Sequence, residues 1–320
     1  LCVPPPASNR ACMPGLGCGR GVWPKASLNT IPVAREARRK RHEAVQRMSL
    51  SPTGSSEQRN VELERHAPRP HPRPGMQAHL ETKKGNDMSI RENLDISAYL
   101  VLGPENTLSR PVGDVVAQAL DAGFTCVQVR SKVCGARELI ACAQEAADAI
   151  AAAGAQDRVA LLVDDRLDVA LAARDAGIKV DGVHVGQSDV PVEVCRKYLG
   201  EDAIVGLSAR AHEMRAYIET ADMSLVDYLG VGPLHETATK PDCGMDDDGR
   251  VITRSLEELA DLHRVSPKPI VVGGGVKAAD IPALAKTGVE GFFVVSAVCS
   301  AEDPRAAAAE LVDAWRANAS

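Results

Sequence analysis

Short apolar runs alternate with longer helical patterns from Tyr99 to the end of the chain. Eight runs have the length and the flanking turn residues of buried strands, and they cover 98–103, 124–130, 158–165, 182–186, 203–209, 226–232, 269–275 and 291–297. The segments between them carry apolar residues at helical spacing, most clearly at 136–154 and 279–288. Strands that alternate with helices predict right-handed crossovers and a parallel sheet.

Eight strand-helix units in about 230 residues are the number and size of a (β/α)8 TIM barrel, the α/β fold that we predict for residues 88–320. A doubly wound open sheet is the structural alternative. The glycines at 273–275 do not form the G-x-G-x-x-G pattern of an open dinucleotide-binding sheet, which favours the barrel. In a barrel, the chemistry lies at the C-terminal ends of the strands.

Residues 1–87 follow different compositional rules from the rest of the chain. They contain fifteen Lys and Arg, seven Asp and Glu, and eleven of the twenty prolines, whereas the remainder has 22 basic and 36 acidic residues. With Trp23 as its one aromatic residue and no sustained apolar period, this extension cannot bury enough apolar surface to offset the entropy of ordering. We expect it to be disordered.

Three interpretations of this basic extension are open: a targeting peptide, an arm that binds nucleic acid, or sequence upstream of the true start. It lacks the apolar h-region of a secretory signal, and its acidic residues and prolines argue against an amphipathic transit helix. A basic run without a folded reader beside it is usually a solvated segment. We expect translation to start at or near Met88, with Met48 and Met76 as alternatives, and we expect no nucleic-acid partner.

Nine cysteines occur, but none forms a C-x-x-C unit, so neither a zinc site nor a disulfide framework is indicated. Cys126 and Cys299 lie in apolar runs and are expected to be small core residues. No stretch approaches the roughly 18 apolar residues of a membrane helix. We therefore expect a soluble, cytoplasmic protein without a membrane partner, and a homo-oligomer is left open.

The stretch VQVRSK, residues 127–132, is inverted for an ordinary core strand. Alternation places Val127 and Val129 on one face and Gln128, Arg130 and Lys132 on the other. A guanidinium and ammonium groups suit a polyphosphate, and Lys240 adds a third cation from the loop after the sixth strand. Pairing of each cation with a surface carboxylate is the alternative.

Carboxylates follow the next two predicted strands. Asp164 and Asp165 end the third strand, and Asp189 follows the fourth. Two carboxylates with substrate phosphates and water are a common way to hold Mg²⁺. Helix capping by Asp165 or Asp189 and acid-base work are the alternatives.

The loops after the last two strands predict a second anion site. Gly273–Gly275 would let backbone N–H groups approach a phosphate closely, and Ser296 follows the eighth strand. A tight turn is the alternative for the glycines. We interpret His184, within an apolar strand, as a hydrogen-bonded core residue, and we assign no catalytic role to His184 or to His235.

From Tyr99 to about Trp315 the sequence resembles thiamine phosphate synthase, also called thiamine-phosphate pyrophosphorylase. Six motifs in order carry this resemblance: VQVRSK, LLVDDRLDVAL, GVHVGQSDVP, GLSA, DYLGVGPLHETATKPD and VVSAV. It implies a transferase that joins 4-amino-2-methyl-5-hydroxymethylpyrimidine diphosphate to 4-methyl-5-(2-phosphoethyl)thiazole or its carboxylated form, releasing pyrophosphate by a dissociative mechanism.

The resemblance also implies residue roles. The pyrimidine diphosphate would contact Gln128, Arg130, Lys132, Asp164, Ser208 and Lys240, and of these Arg130, Lys132 and Lys240 would stabilise the leaving group. One Mg²⁺ would be held by Asp165 and Asp189. The thiazole phosphate would contact Thr237, Ala238, Thr239, Gly275, Val295 and Ser296, with backbone contact alone expected at Ala238.

The sequence departs from the family pattern at several places, and two rival functions accompany the resemblance. Asp164 replaces a frequent asparagine, and Ala238 stands between two threonines. Residues 172–182 lengthen the third helix and its return loop, and residues 241–250 add a charged loop that could be a lid. A thiazole tautomerase of the same fold needs neither a diphosphate-binding site nor a metal. Retention of the cations and carboxylates of that site argues against it: Arg130, Lys132, Asp165, Asp189 and Lys240. A noncatalytic regulator that binds thiazole phosphate is the second rival, disfavoured by the retained carboxylate pair.

Overall fold

The computed structural model describes residues 89–208, 213–237 and 251–319. Eight parallel strands close into a barrel in sequence order, with β1 paired to both β2 and β8. The strands are β1 Ala98–Leu102, β2 Cys126–Val129, β3 Ala160–Asp164, β4 Gly182–Gly186, β5 Ile204–Ser208, β6 Tyr228–Val231, β7 Ile270–Val272 and β8 Gly291–Val294. The predicted barrel is confirmed, and the open sheet is excluded.

Helices surround this barrel. In the described residues the α-helices are α1 Val112–Ala122, α2 Ala136–Ala152, α3 Leu167–Asp175, α4 Val192–Leu199, α5 Met214–Thr220, α6 Leu256–Val265, α7 Ile281–Ala285, α8 Ser296–Cys299 and α9 Pro304–Asn318. Short 3-10 turns lie at Pro104–Asn106, Met223–Leu225 and Ala278–Asp280. Among the helices of these ranges, none is long and apolar enough to cross a membrane.

The predicted elements differ from the observed ones mainly at their ends. Each strand is as long as its predicted apolar run or shorter than it. The end residues of several runs lie in the neighbouring loops instead. The helical pattern at 279–288 divides into the 3-10 turn at Ala278–Asp280 and α7, with Pro282 in the first turn of that helix. Proline is well tolerated there because its missing N–H is not needed in the first turn.

Strand parity creates two separate apolar layers. Val127 and Val129 belong to the layer between strands and helices, which also contains most buried helix residues. Tyr99, Cys126 and Tyr228 belong to a smaller cluster inside the barrel. The inward residues of β2 therefore point toward the axis, as the alternation predicts.

The two cysteines predicted as core residues are buried. Cys126 lies in the interior cluster and Cys299 in the outer layer. Both are free thiols, and burial is the main reason why their pKa values are raised, to about 12 for Cys299. They act as small apolar residues.

The N-terminal end of the barrel is closed by an ionic network. Asp227, just before β6, accepts hydrogen bonds from Arg91 Nε at 2.7 Å and from Arg196 Nη2 at 2.9 Å. Its carboxylate also accepts the backbone N–H of Val205 at 2.7 Å. Ile90 and Leu94 pack beside it against the interior cluster. A cavity of about 380 Å³, lined in part by Arg91, Leu94 and Asp227, lies beside this network.

Candidate active site

The C-terminal end of β2 brings its polar side chains into the mouth of the barrel. Gln128 is buried, and its amide donates to the Tyr99 hydroxyl at 2.7 Å. Arg130 is also buried, and its Nε lies 3.1 Å from Oδ2 of Asp164 on the neighbouring strand. Lys132 is about half exposed and forms an ion pair with Asp165. The predicted cationic face is thus present, and its cations are paired with carboxylates of the same mouth.

Asp165 adopts a conformation that is uncommon for a residue other than glycine. Its φ of 57° lies in the left-handed region, which aspartate and asparagine tolerate better than most side chains. Its N–H donates to the His184 carbonyl at 2.8 Å, which fixes the turn between β3 and α3. Backbone strain of this kind gathers at functional sites. The turn directs the carboxylate toward Lys132 and Asp189.

Asp165 and Asp189 share a hydrogen bond, and their pKa values move in opposite directions. Burial raises the pKa of Asp165, but hydrogen bonds from Lys132 and Asp189 outweigh it and lower the net value. Burial and the bond to Asp165 raise the pKa of Asp189, whose Oδ2 also accepts the Gly186 N–H at 2.9 Å. Two carboxyl groups in contact need a proton or a cation between them. This pair is therefore suited to a cation.

The donor set limits which metal the pair could hold. In the described ranges, no group of three or more His, Cys, Asp and Glu side chains is arranged around a metal position. Two carboxylates without a nitrogen or sulfur ligand suit Mg²⁺, which usually keeps waters and binds substrate phosphates. The residues present fit that ion.

The loops after β7 and β8 form the opposite side of the mouth. Gly274 and Gly275 have φ values of 83° and 74°, and a Cβ at Gly275 would lie 2.9 Å from His235 Cβ. The His235 N–H donates to the Gly274 carbonyl at 2.9 Å, so the loop after β6 lies directly against the glycines. Glycine is therefore required by both conformation and space.

Polar groups at this end remain open to a ligand. Ser296 is exposed at the start of α8, directly after β8, and Val295 precedes it. The imidazole of His235 lies 3.0 Å from Asp280 Oδ2, which joins the loop after β6 to the turn before α7. This side of the mouth, formed by the loops after β7 and β8, has the glycines and the hydroxyl group that the sequence predicts for a phosphate site.

A buried chain of hydrogen bonds crosses the barrel beneath the mouth. Tyr99 Oη lies 2.8 Å from Tyr228 Oη, which lies 2.8 Å from His184 Nδ1. His184 Nε2 lies 2.8 Å from Ser208 Oγ. The interpretation of His184 as a hydrogen-bonded interior residue is confirmed. Its neighbours join Gln128 on β2 to Ser208 on β5.

Some predicted site residues fall outside the described ranges. These are Ala238, Thr239, Lys240 and the charged loop at 241–250. Thr237 is the last described residue before that gap. The other predicted site residues all lie at the C-terminal ends of barrel strands or in the loops that follow them. They are Gln128, Arg130, Lys132, Asp164, Asp165, Asp189, Ser208, Thr237, Gly275, Val295 and Ser296.

Comparison with known proteins identifies the family. The family profile described as thiamine monophosphate synthase matches residues 98–298. A thiamine-phosphate synthase from Corynebacterium efficiens is 39% identical over 227 residues, which cover 70% of this chain and 96% of the relative. One from Natronomonas pharaonis is 36% identical over 220 residues, with coverage of 69% and 95%.

The chain belongs to the thiamine monophosphate synthase family.

A solved member of the thiamine monophosphate synthase family has the same fold. The thiamine phosphate pyrophosphorylase from Pyrococcus furiosus superposes with a TM-score of 0.56 at 30% identity, covering 72% of this chain and 98% of the solved chain. The resemblance inferred from six short motifs is thereby confirmed. The roles of individual residues remain predictions.

Sequence reasoning missed two residues beneath this thiamine monophosphate synthase mouth, Tyr99 and Tyr228. The apolar pattern places both only within strands, although each faces the barrel interior and carries a hydroxyl. Strand parity was the available signal, since Leu100 and Leu229 point outward. What parity could not show is that two strands distant in sequence place these hydroxyls in contact.

Proposed function

We propose that this protein joins 4-amino-2-methyl-5-hydroxymethylpyrimidine diphosphate to 4-methyl-5-(2-phosphoethyl)thiazole, or to its carboxylated form, in thiamine biosynthesis. The products are thiamine phosphate and pyrophosphate, and the carboxylated form also releases its carboxyl group as carbon dioxide. One observation carries the proposal: a single barrel mouth holds a cationic strand end opposed by carboxylates, together with a glycine-lined loop site. Two anionic substrates would occupy these two sides. Membership of the thiamine monophosphate synthase family supports the same reaction.

Arg130 and Lys132 would bind the diphosphate. The C–O bond between the pyrimidinylmethyl carbon and the diphosphate breaks, and its electron pair leaves with the pyrophosphate. Preorganised positive charge stabilises the charge that develops there. Arg130 is held by Asp164 on β3 before the substrate arrives, so its orientation is set in advance. The residue that the resemblance adds to this group, Lys240, lies outside the described residues.

Asp165 and Asp189 would hold one Mg²⁺. When bound, this ion supplies Lewis-acid stabilisation to the phosphate oxygens of the leaving group. The two carboxylates lie in hydrogen-bond contact, and Lys132 contacts Asp165. Lys132 therefore lies beside the carboxylates that would hold the ion, where its ammonium would also bind a diphosphate oxygen.

The thiazole phosphate would lie against the opposite loops. Gly275 and the backbone at Val295 would approach the phosphate, with hydroxyl groups from Ser296 and Thr237. Ala238 and Thr239, outside the described residues, complete the set that the resemblance implies. The thiazole nitrogen then donates its lone pair to the pyrimidinylmethyl cation and forms the new C–N bond. The chain need not supply a nucleophile for this step.

Each of the two rival functions would require only part of the site at the barrel mouth. A thiazole tautomerase would need the glycine side alone, and a noncatalytic regulator would not need the carboxylate pair. The Arg130–Asp164 pair and the Asp165–Asp189 pair lie on the diphosphate side, so they favour the synthase. Cytoplasmic localisation, a homo-oligomer and the role of residues 1–87 remain predictions from sequence.

A substrate-omission assay tests the proposed function. Purified full-length protein with Mg²⁺ should release pyrophosphate only when both substrates are present. Arg305→Ala, at an exposed ion pair with Asp121 that includes none of the predicted site residues, is the matched control and should behave as wild type. Turnover of the thiazole phosphate alone would instead identify a tautomerase, and binding without any turnover would identify a regulator.

A further inference from the structure

The hydrogen-bonded chain beneath the mouth has a direction. Gln128 Nε2 donates to Tyr99 Oη, so the Tyr99 hydrogen is available for Tyr228 and the Tyr228 hydrogen for His184 Nδ1. With this direction of donation Nδ1 carries no hydrogen, so a neutral imidazole would have its hydrogen on Nε2, directed at Ser208 Oγ 2.8 Å away. Each group in the chain thus sets the role of the next.

Both phenols keep their hydrogens, which the chain requires. Burial is the main cause that raises the pKa values of Tyr99 and Tyr228 well above their ordinary range. The thiol of Cys126 also lies within reach of Tyr99. Sulfur is a weaker acceptor than a phenol oxygen, so the Tyr228 hydroxyl is the preferred partner.

Two glycines make room for this chain inside the barrel. A Cβ at Gly206 would lie 2.2 Å from the Tyr228 ring. A Cβ at Gly230 would lie 2.7 Å from Ser208 Oγ and 2.9 Å from His184 Cε1. Any other residue at either position would displace the ring or the bond between His184 and Ser208. The glycines therefore fit the chain closely.

We propose that Tyr99, Tyr228 and His184 are positioning residues that give Gln128 and Ser208 opposite hydrogen-bonding roles toward the substrate. With its amide N–H directed at Tyr99, Gln128 presents its carbonyl oxygen as an acceptor. Because the Ser208 oxygen accepts from His184, its own hydroxyl hydrogen is free to be donated to a ligand in the mouth. If every hydrogen bond between Gln128 and Ser208 ran in the opposite direction, Gln128 would present a donor and Ser208 an acceptor.

An acceptor on Gln128 beside a donor on Ser208 would select one hydrogen-bonding edge of a pyrimidine ring. This inference rests on the proposed function. A 4-aminopyrimidine offers an N–H donor beside a ring-nitrogen acceptor, which complements the acceptor on Gln128 and the donor on Ser208. The 4-oxo counterpart reverses both groups. Buried polar groups discriminate strongly against a ligand that leaves them unpaired. The chain thus makes the pocket specific for the amino form.

Histidine tautomer measurement tests the chain without any ligand. In ¹⁵N-histidine protein, with the signals assigned by a His184→Asn variant, His184 should be neutral with its hydrogen on Nε2. Tyr228→Phe removes the donor to Nδ1 and should shift His184 toward a mixture of tautomers. Tyr198→Phe, at an exposed tyrosine, is the matched control and should change nothing. A wild-type His184 protonated on Nδ1, or unaffected by Tyr228→Phe, would overturn the proposal.

Ligand selectivity provides the second readout. We expect wild type to bind the 4-amino pyrimidine diphosphate about 100-fold more tightly than the 4-oxo analogue, and Tyr99→Phe and Tyr228→Phe to reduce this ratio at least about tenfold while remaining folded. An unchanged ratio in both variants refutes the positioning role. If wild type binds neither compound, the proposed function fails instead, and the tautomer measurement still decides whether the chain is polarised.

Discussion

Both ends of the barrel contain ion pairs with aspartate, but the exposure of their cations differs between Arg196 and Lys132. At the N-terminal end, Arg196 is buried and bonds to the carbonyls of Ala203 and Leu225 as well as to Asp227. At the C-terminal end, Lys132 is about half exposed and contacts Asp165 without comparable backbone partners among the described hydrogen bonds. The bonds of Arg196 in the first network all go to partners within the protein. In the second, the Lys132 side chain is also exposed to solvent.

The difference in exposure between these ion pairs predicts different effects of their loss on stability and on function. A buried charge whose partners are all internal cannot lose one without a large desolvation cost. A half-exposed charge such as that of Lys132 is partly solvated, and water or a substrate phosphate can replace a lost partner. Ion pairs at the bottom of the barrel should therefore control folding, and those at the mouth should control binding and catalysis.

Substitution of Arg130 by alanine should have the largest effect. We expect kcat/KM to fall about 10²- to 10³-fold, since one preorganised group that stabilises developing charge is worth about that much. Thermal unfolding should show a folded protein. Steady-state pyrophosphate release measures the first quantity and circular dichroism the second. Unchanged turnover would remove Arg130 from the site.

Asp227→Asn and Lys132→Gln form a pair of substitutions at the two ends. We expect Asp227→Asn to lower the free energy of unfolding by about 3 kcal/mol, because it leaves Arg196 buried without its anion. Lys132→Gln should cost about 1 kcal/mol or less, because about half of the Lys132 side chain is exposed. Urea unfolding compares them. Equal costs would contradict the division between the two ends.

Asp165→Asn should weaken metal binding at least about tenfold, since loss of a single carboxylate of the pair leaves only one charged ligand. Titration of Mn²⁺, followed by electron paramagnetic resonance with pyrophosphate present, measures this affinity directly. Asp168→Asn, three residues along at an exposed ion pair with Arg166, is the control and should retain metal. Normal metal affinity in Asp165→Asn would move the metal site elsewhere.

Gly275→Ala should produce the smallest change, confined to the thiazole side. A side chain at φ 74° costs about 1 kcal/mol of stability, and its Cβ would press on His235 where the phosphate is expected. We expect a higher KM for the thiazole phosphate and an unchanged affinity for the pyrimidine diphosphate. Gly177→Ala is the control, because it has a φ of 80° but open space around its Cβ. An equal KM change in both variants would argue against a phosphate site at Gly275.

Features set by local alternation could be predicted from the sequence. The inward face of Gln128 and Arg130 depends only on the two-residue period of a strand, and the barrel followed from the count of strand-helix units. The cluster at the mouth followed too, because parallel strands deliver their C-terminal ends to the same edge.

Features set by contacts between distant strands could not be predicted. Tyr99 and Tyr228 meet through a register that no local pattern encodes. The left-handed conformation of Asp165 depends on the carbonyl of His184 in the next strand. Pairing of the cations with Asp164 and Asp165 required side-chain positions. These are the details that decide the chemistry.

The central claim is that two phosphate-bearing substrates meet at this one mouth and are joined. Phosphorus NMR during a single turnover tests it most directly, since both substrates and both products carry phosphorus. We predict that pyrophosphate and thiamine phosphate appear in equal amounts as the diphosphate and thiazole phosphate signals disappear. Pyrophosphate released without consumption of thiazole phosphate, or thiazole phosphate altered with the diphosphate intact, would contradict the claim.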